Sequence, residues 1–342
     1  MFCIKRDIFV DRLKGYACFL VVFGHVIIGV RLAGINIPGF FYVFERFIWS
    51  FHVALFLFLS GFVYKITGEW RGKKTKLGFI KYKLINLGIP YVIFSVVYIL
   101  LNSFIVAVNT RSKVSDIFII WKTPVAQYWF LYALFFLFCI WTVFSGMIKN
   151  WQITVFVTAI GYIASVCGTS FGSFDVAVYS ALAFGLGTFA DISYLKKCNT
   201  VIKMLIILCH VALWGVLFYF KIADKLFIKD IMTVFGIYAS ILFISIAEKI
   251  PIVADFLGFV NKYSFQTYLL HTIFTAGIRV ILIHMNITSW IVHIILGTVF
   301  GILLSVFAAW IAQRISVLNI CFFPTKTISR LKGEVFPRKE EI

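Results

Sequence analysis

Charge interrupts this chain only at long intervals, and the apolar runs between interruptions are each close to the length that crosses a bilayer. Ten such runs lie at roughly 9–30, 40–65, 83–106, 126–146, 151–168, 175–190, 201–220, 230–248, 264–284 and 288–314. Backbone N–H and C=O groups cannot go unpaired in hydrocarbon, so runs of this kind become helices. The expected fold is therefore all-α, a polytopic bundle of about ten transmembrane helices. The sixth run is short, and Gly185 and Gly187 weaken it further. The first run follows basic residues as a signal peptide would, but no small-residue cleavage site follows it, so it is read as a retained helix. With 62% hydrophobic and 13% charged residues, a soluble domain is excluded.

Charge gives the orientation. A net charge of +18 in a soluble chain would suggest nucleic acid, but here Lys and Arg sit in short loops between apolar runs, so no nucleic-acid partner is expected. With the N-terminus inside, 23 of the 32 Lys and Arg fall on the inner side, which places both termini in the cytoplasm. The whole chain, 1–342, reads as a single membrane domain with spans between 9 and 314 and a basic cytoplasmic tail from 315 to 342. The loop 65–83 is the most basic, suited to anionic lipid or to a polyphosphate such as a nucleotide cofactor. It has no glycine-rich cradle, so lysines would have to hold the phosphates. The seven cysteines are scattered and show no metal-ligand spacing; no metal is expected.

Ionisable groups inside a span are costly and usually functional. On the first helix, Asp11, Lys14, Cys18 and His25 share one stripe, with about 21 Å between its ends. His25, His52 and His271 lie well inside their spans beside other polar residues. His25 stands five residues before the first hairpin turn and Glu45 five after it, so a carboxylate is expected level with the imidazole. Such a carboxylate fixes the tautomer of a general base, unless Arg46 neutralises it first. Ser60-Gly61 permits close helix approach, and Trp129 opens a span where aromatics meet the interface. Ser264, Tyr268 and His271 fall on one face of the ninth span, a stripe that faces protein or water. His284 and His293 are placed at the interface, and His210 is read as a hydrogen-bonded packing residue.

Four segments in register, DRLKGYA…VVFGH (Asp11–His25), SFHVALFLFLSGF (Ser50–Phe62), YWFLYALF (Tyr128–Phe135) and SFQTYLLH (Ser264–His271), resemble the membrane-bound acyltransferase 3 family. The resemblance implies transfer of an acetyl or other short acyl group from cytoplasmic acyl-CoA to a hydroxyl of a polysaccharide, lipopolysaccharide or lipid-linked sugar. It matches His25 to the family's essential histidine and His52 to the histidine of its F-H-x-P-L-F-F run, with Ala54 in place of the proline. It also implies donor contacts at Lys14 and Lys83, beside Asp11, Lys76 and Lys81. Lys83 and Asn86 stand where the family tends to carry two arginines; lysine keeps the charge without the planar fork, and asparagine loses it.

The expectation is thus a membrane O-acetyltransferase of the bacterial inner membrane. Acetyl-CoA would be the donor, and His25 with Glu45 the base. His52, Arg46, Ser60, Trp129, Tyr268 and His271 would line the pocket. The rival is a transporter or flippase of a lipid-linked sugar with proton-coupled His and Lys, although no inverted repeat is visible. A non-catalytic scaffold would leave the polar stripes without purpose. The acceptor and the oligomeric state, homo-oligomer included, are open at this stage.

Overall fold

The structure is a computed structural model that describes residues 7–68, 75–104 and 111–332. In chain order its helices are α1 (Ile8–Leu32), α2 (Gly39–Trp49), α3 (His52–Thr67), α4 (Lys76–Lys83), α5 (Ile89–Phe104), α6 (Trp129–Phe144), α7 (Asn150–Val166) and α8 (Ala181–Phe189). There follow α9 (Thr200–Tyr219), α10 (Leu226–Ala247), α11 (Pro251–Lys262), α12 (Ser264–His284), α13 (Trp290–Ala312), α14 (Ser316–Phe322) and α15 (Pro324–Leu331), with short helical turns between. No strand occurs among the described residues.

Eight segments among the described residues are long and apolar enough to cross a membrane. Two of the ten expected runs fall short. The fifth is α7, 17 residues long. The sixth divides into Asp175–Val178 and the nine-residue α8. Its glycines serve packing: a side chain on Gly185 would collide with Thr154 of α7. A further difference lies at 251–262, expected to be loop and found as α11. Pro251 opens that helix at the position where its missing N–H costs nothing.

The chain resolves into two compact units. The first comprises Asp7–Phe62 and Ala190–Ser305. Helix α1 packs into it through residues such as Phe9, Leu13, Cys18 and Ile27, while Asp11, Lys14 and His25 on its polar stripe are half-buried. Lipid is as apolar as leucine, so close packing has to hold such helices together. Small residues supply it: a side chain at Gly15 would overlap the Leu257 carbonyl of α11, and Gly297 of α13 lies against Val26. The α2–α3 span breaks at Ser50-Phe51, where the Thr233 hydroxyl of α10 donates to the exposed Ser50 carbonyl (2.7 Å).

The second unit comprises Val63–Phe189 with the C-terminal segment from Val306, described to residue 332. Its centre is aromatic, with Trp141 and Phe184 at 5.0 Å and Phe138 edge-on to Phe184 at 5.3 Å. Between α4 and α5 the backbone widens into a π-turn, Leu84–Gly88. Pro90 just beyond it has no N–H to offer the Asn86 carbonyl, and widening the ladder is one way a helix absorbs that loss. The Asn86 side chain donates to the Tyr82 carbonyl (2.9 Å) and accepts from Thr325 of α15 (2.9 Å). Within the segment expected as a partly ordered cytoplasmic tail, residues 316–331 form α14 and α15; residues 333–342 of that tail lie outside the described residues.

Candidate active site

The polar residues of the first unit converge on His25. Its ring lies 5.0 Å from that of His271 on α12 and 5.2 Å from the indole of Trp49 at the end of α2. Trp49 in turn stands edge-on to His52, 5.0 Å away. Three regions that are far apart in sequence, α1, the α2–α3 junction and α12, therefore meet in one ring cluster. The two-helix seam behind it is regular: Cys18 faces the Ser264 carbonyl (3.7 Å) and His25 faces His271. Both steps are seven residues long, the spacing of two parallel helices that keep one seam.

Each imidazole has its own task. His52, 1% exposed, donates Nδ1–H to the Ile48 carbonyl (2.9 Å), which also accepts the Phe51 N–H (3.2 Å) where α2 ends. His271, fully buried, holds Nδ1–H against the Thr267 and Tyr268 carbonyls at 3.0 and 2.9 Å. A carbonyl only accepts, so in both rings the proton is on Nδ1 and Nε2 carries the lone pair. His25 is half-buried and presents the accessible edge of the cluster. Three buried polar atoms here have no hydrogen-bond partner: His271 Nε2, Trp49 Nε1 and Thr267 Oγ1. Buried polar atoms are nearly always paired, and three orphans together mark a place built for something else.

Glu45 does not serve His25. Its carboxylate, 3% exposed, is forked by Arg31 through Nε and Nη2, each at 3.1 Å. The hairpin places Glu45 near the depth anticipated, but Arg31 at the last turn of α1 reaches it first. Arg46, expected to be its competitor, pairs instead with Asp224. Ser60 turns its hydroxyl back to the Phe56 carbonyl, and Tyr268 is buried one turn from His271. Asp11 and Lys14 are half-buried near the start of α1.

The remaining expected residues belong to the second unit. Lys76 is committed to the end of α6, donating to the Val143 and Ser145 carbonyls at 2.8 and 2.7 Å. Lys83 sets its ammonium over the Phe138 ring at 4.1 Å. Lys81 is exposed, and Trp129 is half-buried at the start of α6. Residues 69–74 of the basic loop lie outside the described residues. His210 is a packing residue as expected, between Phe47 and Phe51, though neither ring nitrogen has a partner. His293, expected at the interface, is buried and bonded through Nε2 to Ile287 (2.8 Å).

Trp49 was not anticipated. It stands three residues before His52, one helical turn on an ideal helix, and that offset is the only signal it gives. No group of three His, Cys, Asp or Glu among the described residues could hold a metal ion. A family model described as an acyltransferase domain matches residues 7–310. No curated protein and no solved structure matches.

Proposed function

The chain belongs to the membrane-bound acyltransferase 3 family, and on that premise we propose that it moves a short acyl group, most simply acetyl, from acyl-CoA to a hydroxyl of a surface glycan or lipid-linked sugar. The observation that carries the proposal is the half-buried His25, set beside Trp49 and His271, each with one buried ring nitrogen that has no hydrogen-bond partner. In the proposed reaction His25 takes the proton of the acceptor hydroxyl as its oxygen attacks the thioester carbonyl carbon. The tetrahedral oxyanion collapses, the carbon–sulfur bond breaks, and the imidazolium returns its proton to the leaving thiolate. Trp49 Nε1–H, buried and unpartnered, is the donor assigned to the oxyanion. Water inside the pocket would hydrolyse the donor, and the apolar packing of α1 supports its exclusion.

For the donor, Lys14 is the assigned phosphate contact. It stands eleven residues before His25, about 16 Å along α1, a span that an extended thioester arm covers. The charge of the stretch 65–83, read from the sequence alone, suits attraction of an anion such as the acyl donor. The bacterial inner membrane, with cytoplasmic termini, is the setting that the loop charges favour.

Purified protein in nanodiscs, given radiolabelled acetyl-CoA and a glycan acceptor, tests the proposal. Label on the glycan with stoichiometric free CoA supports it. Movement of a lipid-linked sugar across the bilayer with no CoA released would replace it with the transporter reading.

A further inference from the structure

A base at His25 needs an orienting partner, and the carboxylate that fits the role from sequence is occupied elsewhere. A neutral imidazole that accepts a proton on one nitrogen must hold a proton on the other, and an acceptor facing that N–H fixes which nitrogen is basic. Glu45 would have been such an acceptor, but both its oxygens are held by Arg31. The neighbouring ring with a free acceptor is His271, centroids 5.0 Å apart, whose Nε2 has no hydrogen-bond partner in this structure.

We propose that His271 is the positioning residue of the reaction: by a small rotation of the two adjacent rings its unpartnered Nε2 takes up the N–H of His25, leaves the other His25 nitrogen basic toward the substrate, and shares the positive charge once His25 is protonated. The inference rests on the acyl-transfer reading given above. Three observations on the page support it. The Thr267 and Tyr268 carbonyls hold Nδ1–H, which locks the His271 tautomer and removes any ambiguity about Nε2. That Nε2 is buried without a partner, a state whose cost is relieved only by a donor. The ring beside it is His25, and the α1–α12 seam is held in register by Cys18 on Ser264.

His271 itself is sealed away, so it does not meet substrate; His25 has the accessible edge. When His25 is charged, its N–H becomes a stronger donor, and the two backbone carbonyls behind His271 orient a dipole toward it. The relay needs no carboxylate and therefore no buried negative charge.

Two substitutions separate this role from mere packing. H271F keeps a ring of similar size and removes the acceptor. H271Q keeps an acceptor oxygen at the end of the side chain. The expected result for H271F is a kcat loss of roughly 10²–10⁴-fold with KM for donor and acceptor within a few fold and a thermal midpoint near that of the parent. H271Q should recover about tenfold or more of that loss. Nitrogen-15 spectra of histidine-labelled protein give a readout independent of turnover: His25 should be one tautomer in the parent and a mixture in H271F. Transfer by H271F within a few fold of the parent, with His25 tautomer unchanged while His25→Ala is inactive, would overturn the inference and leave the acyl-transfer reading standing. No transfer by the parent protein would sink that reading, and the nitrogen-15 spectra would still decide how His271 acts on His25.

Discussion

Arg31 and Glu45 form a forked ion pair in which the carboxylate is almost wholly covered and the guanidinium is partly open, with side-chain exposures of 4% and 36%. One residue ends α1 and the other lies in α2, so the pair staples the first hairpin of the chain. It also engages both oxygens of the Glu45 carboxylate.

Arg31→Ala should leave a buried carboxylate with no donor and cost roughly 1–3 kcal/mol, seen as a lower thermal midpoint in detergent. Adding Glu45→Gln to it should restore much of the loss, because the stranded charge is then gone. Additive losses would mean that the pair contributes nothing as a pair.

Gly15→Ala should be among the most damaging single-methyl changes in the chain. Its new carbon would overlap a backbone carbonyl at Leu257, which cannot rotate away as a side chain would. Gly258→Ala on the facing helix α11 meets nothing within 4 Å and should be neutral or slightly stabilising. Thermal melts of both variants, with membrane yield as a second measure, check the contrast.

Trp49→Phe keeps an aromatic ring against His25 and His52 and removes the indole N–H. If that N–H meets the oxyanion, kcat should fall by about 10²–10³-fold with little change in KM. A kcat equal to that of the parent would take Trp49 out of the chemistry and leave it as packing.

Thr325→Val removes the hydroxyl that bonds the Asn86 side-chain oxygen across to α15. The loss should be about 0.5–1.5 kcal/mol, confined to the C-terminal segment. Faster proteolysis after residue 315, at an unchanged rate elsewhere, is the expected signature. Uniform sensitivity would show that α15 is held by other means.

The apolar runs foretold the helices because lipid leaves the backbone no other choice, and His25 and His271 stood out because burying an ionisable ring is costly. The Ser264, Tyr268, His271 stripe faces the protein as its spacing implies. What could not be read was pairing. Glu45 and His25 lie at matched distances from the turn, yet depth fixes only height, and the long side chain of Arg31 decides the contact. Helix α11 escaped because twelve residues that include Asp255 and Lys262 look like a loop to any span-length criterion. The break at Ser50 carries no proline or glycine; it is held by Thr233, more than 180 positions away in the chain. Asn86 read as a lost cation, whereas its amide bridges the π-turn to α15, a contact invisible along the chain.

The most direct measurement is mass spectrometry of surface glycans from cells lacking this chain, complemented with either the parent or the His25→Ala form at equal membrane abundance. The account predicts an acetyl-sized mass on the glycan with the parent and its absence with His25→Ala. Identical glycans in all three strains, or full acylation with the alanine form, would contradict it.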